Sequence, residues 1–276
     1  MPELPEVQTV VTSLRRIVGR RIDRVVHVRS DMVNPPGADL ADLLNGRVIS
    51  DVTRRGKRIV FHLDDGNRFF IHLGMSGRLT IEPSDAALGP HTHLILQLAA
   101  PDDAQLRFRD PRRFGEIRWL GNESGDEKMG SEPLEMRADA LAMRLRGTKR
   151  AIKNALMDQR VVAGLGNIYV DESLFAAGIH PLMRADKLSA DQIASLTKAI
   201  KRVLRRAIRH RGSSLRDYVD AEGSKGAFQK LHSVYGREGE PCRTCQSPIS
   251  RIVLGGRSTH FCATCQPRLR RFRRKN

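Results

Sequence analysis

Apolar residues near the amino end recur at three- and four-residue steps: Leu4, Val7, Val11, Leu14 and Val18, with Val10 and Ile17 widening the stripe. That period predicts a helix with one buried face. Glu3 and Glu6 fall in its first turn and Arg15 and Arg16 near its end, the charge order a helix dipole favours. Pro5 is tolerated there, because first-turn amides have no intrahelical partner. The pattern then changes to short β runs: Ile22–Val28, Arg47–Thr53, Arg58–Leu63, Arg68–Leu73, Arg78–Ile81, His93–Leu98, Gln105–Arg109 and Glu116–Leu120. Turn signals such as Asp65-Gly66-Asn67 and Pro101-Asp102-Asp103 separate them. Many short strands at near-regular spacing predict an antiparallel sandwich or barrel-like domain. Gly121–Gly130 reads as a polar linker. Helical periodicity follows over Ala138–Leu145, Lys149–Met157, Ile168–Ala177 and Asp191–Arg209. In the last of these, Ile193, Leu196, Ile200, Val203, Leu204 and Ile208 make one stripe. Lys198, Lys201, Arg202, Arg205, Arg206 and Arg209 decorate the rest. Residues 211–240 are rich in Gly and aperiodic, so they read mostly as loop.

Composition narrows the class. The chain has 276 residues, 40% hydrophobic, enough for one large or two ordinary domains with real cores. It contains no run approaching the ~18 apolar residues of a membrane span. Met-Pro-Glu-Leu-Pro-Glu lacks the basic and apolar regions of a secretory signal, so a cytoplasmic protein is expected. The net charge is +17, with a pI near 10.6. Such a balance points to a polyanionic partner, nucleic acid first and an anionic membrane surface second. The excess is uneven. Residues 1–130 carry 19 Lys and Arg against 18 Asp and Glu, whereas residues 131–276 carry 29 against 13. Two parts with different tasks are implied.

All four cysteines lie near the carboxyl end, as Cys242, Cys245, Cys262 and Cys265. The C-x2-C-x16-C-x2-C spacing fits a zinc ribbon, because each x2 turn lets two thiolates face one point. Two disulfides, the alternative, conflict with a cytoplasmic chain. Four ligands close the site, so the expected Zn²⁺ is structural. Ser250–Leu254, the Gly255-Gly256 turn and Ser258–Phe261 read as a β-hairpin between the pairs. So small a unit has almost no core, and metal binding would supply most of its folding energy.

The amino terminus carries chemistry of another kind. If Met1 is removed, Pro2 presents a secondary α-amine, whose ordinary pKa of about 7.7–8.0 leaves a neutral fraction near pH 7. A neutral amine attacks a carbonyl-like carbon to form an iminium. Glu3 and Glu6 lie within one helical turn and are placed to move protons beside it. Residue types alone leave open a plainer reading, in which these glutamates are ordinary helix-start residues.

The wording of the chain adds to this. Met-Pro-Glu-Leu-Pro-Glu-Val, Arg-Arg-Gly-Lys-Arg (54–58), His-Leu-Gly-Met-Ser-Gly (72–77), Asp-Pro-Arg-Arg-Phe-Gly (110–115), Gly-Leu-Gly-Asn-Ile-Tyr (164–169) and Val-Tyr-Gly-Arg-Glu-Gly-Glu-Pro-Cys (234–242) occur in this order. With the cysteine hairpin they resemble the bacterial formamidopyrimidine-DNA glycosylases, over nearly the whole chain. The resemblance implies an α+β fold of two domains. The first is an N-terminal antiparallel β-sandwich flanked by helices. The second is a C-terminal helical domain with a helix–two-turns–helix element and a zinc β-hairpin. By chain order these are residues 1–130, a catalytic domain with linker; 131–240, helical and DNA-binding; and 241–276, the finger and a basic tail. The resemblance also implies a monomer acting in the bacterial cytoplasm on nucleoid DNA.

The resemblance further implies roles. Pro2 is the nucleophile at the sugar carbon bearing the damaged base, Glu3 moves protons at the sugar ring, and Glu6 supports the site. Lys57 contacts phosphate and helps the lyase steps. Met75, Arg112 and Phe114 form the wedge that fills the gap left by an extruded nucleotide. Asn167 hydrogen-bonds phosphate beside the lesion, and His72, Lys153 and Arg257 are further phosphate contacts. The substrate class is double-stranded DNA with oxidised purines or abasic sites. The sister family, endonuclease VIII, prefers oxidised pyrimidines; Leu4, Met75 and the 110–114 wording favour the purine enzyme. A non-catalytic zinc DNA-binding protein is the third reading, which the intact Pro2, Glu3, Glu6 and Lys57 set opposes. Residues 216–230 depart from the commoner family wording, with Arg216 where a lysine is frequent. The basic run Arg268–Lys275 extends further past Cys265 than the family pattern.

Overall fold

The computed structural model describes residues 2–214 and 218–268. Arg216 and most of the Arg268–Lys275 run therefore lie outside the described residues. The chain packs as two units. One runs up to Lys128 and includes Ala207–Gln229; the other comprises Met129–Arg206 and the chain from Lys230 onward.

The first unit contains α1 (Leu4–Leu14), β1 (Ile22–Val28), β2 (Val33–Asn34), α2 (Leu40–Leu44), β3 (Ile49–Arg55), β4 (Arg58–Leu63), β5 (Arg68–His72), β6 (Arg78–Pro83), β7 (Thr92–Leu98), β8 (Ala104–Arg109) and β9 (Glu116–Gly121). Two sheets form, β1-β7-β8-β6 and β2-β9-β5-β4-β3. Every pairing is antiparallel except that of β2 with β9. Both sheets and α1 share one core, with Leu79, Leu94, Leu96 and Phe108 from the first sheet and Ile59, Phe61, Phe69 and Ile71 from the second. Phe61 and Phe69 stack with ring centroids 4.6 Å apart. Strict alternation is lost along β4 and β5, where Val60 and Phe70 are buried on the opposite face. The Arg58 guanidinium lies 4.3 Å from the Phe70 ring centroid there, in cation–π geometry.

The expected first helix forms, but it ends at Leu14 and a single tight turn, Arg15–Ile17, follows. Val18 lies past that turn on extended backbone and is 37% exposed, so it does not join the stripe. Its fit to the helical period is coincidental.

Ala207–Gln229 is drawn onto the first unit by hydrogen bonds of long sequence separation. Ser213 N–H donates to Glu6 Oε1 (2.7 Å), Tyr218 O–H to the Glu6 carbonyl (3.1 Å), Ala221 N–H to Ser13 Oγ (3.1 Å) and Ile81 N–H to the Ala221 carbonyl (3.0 Å).

The second unit contains α3 (Ala138–Leu145), α4 (Ile152–Met157), α5 (Asn167–Ala176), α6 (Ala190–Arg209) up to Arg206, β10 (Ser250–Leu254) and β11 (Arg257–Phe261). Residues Ile168–Leu174 of α5 are all buried, so α5 is a central helix with no solvent face. The predicted helix over Lys149–Met157 starts three residues later. Ala151 makes an antiparallel bridge with Arg184, and Ile152 N–H donates to the Met183 carbonyl (2.7 Å), which keeps Ala151 out of the helix. Among the described residues no helix is long and apolar enough to cross a membrane.

Candidate active site and nucleic-acid interface

In the first unit the chemistry begins at the start of α1. Glu3 caps the helix and forms a reciprocal capping box with Glu6. Pro2, Glu3 and Glu6 are all buried. Glu6 Oε2 accepts from Glu3 N–H (2.9 Å), and Oε1 accepts from Ser213 N–H (2.7 Å). Gly212, at φ +75°, makes the second bond possible: a Cβ there would stand 2.6 Å from Glu6 Oε1. Each Glu6 oxygen thus accepts a backbone amide. Burial, with the Glu6 charge second, pushes the Tyr218 phenol well above its usual range, so it stays a neutral donor to the helix start.

Lys57 occupies the two-residue turn Gly56–Lys57 between β3 and β4 and is 7% exposed. The register sets His72 of β5 opposite Arg58 of β4 and Glu116 of β9. Burial, and then the Lys57 charge, push the His72 imidazole below its ordinary value, so it is neutral near pH 7. His72 Nδ1 accepts from Gly74 N–H (3.3 Å), leaving the proton on Nε2 as a donor.

The predicted wedge residues meet on the surface. Phe114 is 54% exposed and Met75 37%. The Arg112 guanidinium lies 4.7 Å from the Phe114 ring centroid, and its Nη1 lies 4.0 Å from Met75 Sδ. Asp110, fully buried, braces both loops: Oδ1 accepts from Ser76 Oγ–H (2.6 Å) and Oδ2 from Gly115 N–H (2.7 Å). Gly74, at φ +62°, lets the loops touch, since a Cβ there would stand 2.4 Å from the Phe114 backbone carbon. Three exposed side chains, two apolar and one cationic, therefore stand on a rigid base. An open cleft of about 420 Å³ elsewhere in this unit is lined by Glu82, Asp85, Asp102 and Asp103, the wrong sign for a polyanion.

In the second unit, Lys153, Asn167 and the Arg257 end of the hairpin come together. Asn167 opens α5 after the Gly164-Leu165-Gly166 turn, and its Nδ2 donates to Ser258 Oγ (3.3 Å). Gln159 braces that turn, accepting from Gly164 N–H (2.9 Å) and donating to the Leu165 carbonyl (2.8 Å). Arg257 is exposed at the head of β11. Lys153 is fully buried. Its ammonium pairs with Asp171 Oδ1 (2.7 Å) and donates to the Ser258 carbonyl (2.7 Å). Here it holds the residue next to Arg257. Asp171 Oδ2 accepts from His260 N–H (2.8 Å), and Glu172 accepts from the amides of Ser233, Val234 and Tyr235 at 2.9–3.0 Å. Helix α5 thus pins both the hairpin and the strand of chain before it.

The four cysteine sulfurs lie within 4.8 Å of one another, with Cys242–Cys265 at 3.9 Å and Cys245–Cys262 at 3.4 Å. A tetrahedron of ~2.3 Å Zn–S bonds has edges near ~3.8 Å, so the set fits one zinc ion, and no disulfide is present. Thr244 N–H and Cys265 N–H point at Cys242 Sγ (3.4 Å) and Cys262 Sγ (3.5 Å), the bonds that stabilise thiolates. Gln266 fixes the finger to its unit, accepting from Cys262 N–H and donating to the Ile179 carbonyl (2.8 Å).

Asp110, Glu172, Asp171 and Gln159 bear no role in the sequence reading. Asp110 alone carried a signal, its place within Asp-Pro-Arg-Arg-Phe-Gly.

The chain thus combines a two-sheet unit, whose first helix opens on a Glu3–Glu6 capping box, with a helical unit that carries a four-cysteine finger. The chain matches the Formamidopyrimidine-DNA glycosylase N-terminal domain over residues 1–117, its H2TH domain over 129–219, and the zinc finger found in FPG and IleRS over 239–268. It is 47% identical to the Formamidopyrimidine-DNA glycosylase of Gluconobacter oxydans, covering 96% of this chain and 100% of that protein. With the Bacillus subtilis enzyme of the same name the identity is 42%, over 96% and 99%. A crystal structure of a Lactococcus lactis FPG variant with Fapy-dG-containing DNA superposes with a TM-score of 0.89 at 37% identity, covering 97% of this chain and 100% of that one. The Thermus thermophilus protein gives a TM-score of 0.85 at 38% identity, over 96% and 98%. The chain belongs to the formamidopyrimidine-DNA glycosylase family: it is a DNA glycosylase that acts on damaged DNA and carries one structural zinc.

Proposed function

We propose that this enzyme extrudes oxidised purines, 8-oxoguanine and formamidopyrimidines, from duplex DNA and cuts the strand through an amino-terminal iminium. With Met1 removed, the Pro2 nitrogen lone pair forms a bond to the sugar C1′. The N-glycosidic bond breaks, and its electron pair leaves with the base, which takes a proton. The Pro2 nitrogen then passes its N–H proton to the Glu3 carboxylate, Glu3 delivers it to the ring oxygen as the C1′–O bond breaks, and the nitrogen lone pair left behind closes the iminium. Loss of a proton from C2′ then expels the 3′ phosphate, and a second elimination expels the 5′ phosphate. Lys57 steadies the flanking phosphate during both. Met75, Arg112 and Phe114 fill the vacated stack, and Arg112 faces the orphaned base. Asn167, Arg257 and His72 bind backbone phosphates, His72 as a neutral donor and Lys153 through its hold on Ser258. The enzyme works as a monomer on cytoplasmic DNA.

One observation carries this reading. Glu6 ties the Glu3 amide and the Ser213 amide to one buried carboxylate, which sets Pro2 and Glu3 in a fixed place at the end of a helix. Lactococcus lactis FPG has also been crystallised with abasic-site DNA and with DNA carrying an oxidised pyrimidine. Purine preference is therefore the part to test by competition. Equal amounts of 8-oxoguanine and oxidised-pyrimidine duplexes in one excision assay should show faster release of the purine; faster release of the pyrimidine would overturn the assignment. Pro2→Gly should abolish strand cutting while lesion-duplex affinity stays within a few fold; full activity in that variant, with borohydride trapping moved to another residue, would remove Pro2 from the mechanism.

A further inference from the structure

Helix α6 has no part in the reaction above, yet it holds the densest positive charge among the described helices. Leu196, Ile200, Leu204 and Ala207 are fully buried, so one face is packed. At about 100° per residue, Lys198, Lys201, Arg202, Arg205, Arg206 and Arg209 all fall within an arc of about 140° on the opposite face. Five of them are exposed and Lys201 is half-buried. The helix has no acidic residue after Asp191. Among the described residues none of the six has a carboxylate within ion-pair reach, and Arg202 makes one long bond, to the Ala176 carbonyl (3.3 Å). Many surface arginines elsewhere pair with neighbouring acids, as in Arg29–Asp31, Arg118–Glu116 and Arg184–Asp186.

A face kept only for solubility would mix signs at i,i+4 and gain from it. Here Lys198 and Arg202, Lys201 and Arg205, Arg202 and Arg206, and Arg205 and Arg209 set like charges at that spacing, which weakens the helix. A bound polyanion relieves that repulsion. From Lys198 to Arg209 the rise is about 16 Å. One DNA strand presents a phosphate every ~3.4 Å of its axis, so about five phosphates face the stripe. Four of the six are arginines, whose planar forks match phosphate oxygens. The apolar face is packed inside, so nothing is left to insert into a lipid surface.

We propose that this face of α6 is a second duplex-DNA site. It holds the backbone of an undamaged DNA segment, without reading sequence, while a lesion duplex occupies the reaction site. The inference rests on the assignment of the chain as a DNA glycosylase. The test saturates the full-length enzyme with a short duplex bearing a tetrahydrofuran abasic analogue. A labelled, longer undamaged duplex is then titrated in, with anisotropy read at several salt concentrations. The wild type should form a ternary complex. Replacing Lys198, Arg202, Arg205 and Arg206 together with Gln should weaken the second duplex at least about tenfold and cut the log–log salt slope by about 3–4. Excision from the short lesion duplex should not change. The Gln variant removes repulsion, so its helix content by circular dichroism should equal or exceed that of the wild type. No ternary complex at low salt, or one whose affinity and slope survive the substitutions, would overturn the proposal. So would stripe-dependent uptake of anionic vesicles without a second duplex. Failure at the first step, with no binding of the short abasic-analogue duplex, would instead overturn the glycosylase reading on which this one rests.

Discussion

Single side chains differ in what a change at them should cost. Glu6 accepts two buried amides, and Gln there turns one acceptor into a donor facing an N–H. Glu6→Gln should destabilise the fold by about 1–3 kcal/mol in urea unfolding and slow single-turnover excision with it. Lys153→Met leaves the Asp171 charge buried without its cation, a loss of about 3–5 kcal/mol. Adding Asp171→Leu should recover only part of that stability, because the His260 amide loses its acceptor, and should not recover phosphate affinity, because the hold on Ser258 is gone. An affinity that returned with stability would show that Lys153 acts only as packing. His72 has its pKa below the ordinary imidazole value, so protonation favours the unfolded chain. Its contribution to stability is complete above about pH 6.5, the unfolded value, and falls as the pH drops below it. Lesion-duplex binding through His72 Nε2–H should therefore not change between pH 7 and 8, and His72→Ala should leave the salt slope intact. Pro2, Glu3 and Lys57 stand in recognisable words, so the sequence offers them as candidates. Asp110, Asp171 and Glu172 were not legible in it. Each is a buried carboxylate bonded to groups up to 89 residues away, and its type alone reads as surface charge.

Among the elements, the two wedge loops depend on Gly74. Gly74→Ala adds a Cβ that meets the Phe114 backbone at 2.4 Å from a φ of +62°. The loops must part, and lesion-duplex affinity should fall at least about tenfold while secondary structure stays unchanged by circular dichroism. The zinc finger has a small core of Val234, Ile249 and two cysteines, so chelation should unfold it. DNA affinity should then collapse while the first unit keeps its amide-exchange protection. Strand positions were legible as short apolar runs bounded by turn signals, and Ile22–Val28 and Arg58–Leu63 form as expected. The two residues of β2 and the five of α2 are too short to show any period. Residues 149–151 carry helix-forming side chains, but the bridge to Arg184 overrides local preference.

For the whole molecule, the net charge of +17 becomes informative once it is divided along the chain. Residues 131–276 carry most of the excess positive charge, whereas the first unit holds the amine, its carboxylates and the wedge. Binding should thus fall steeply as salt rises, by about 10³-fold or more between 50 and 200 mM if six or more phosphates are neutralised. Charge asymmetry was visible in the sequence. The return of Ala207–Gln229 to the first unit was not, because that aperiodic stretch is held by side-chain-to-backbone bonds from Glu6, Ser13 and Tyr218. The central claim is that catalysis runs through the amine of Pro2. Borohydride added during turnover on an abasic duplex should reduce the iminium to a stable protein–DNA adduct. Peptide mass mapping should place that adduct on a chain beginning at Pro2. An adduct on Lys57 or another lysine, or efficient trapping by enzyme that retains Met1, would contradict the account.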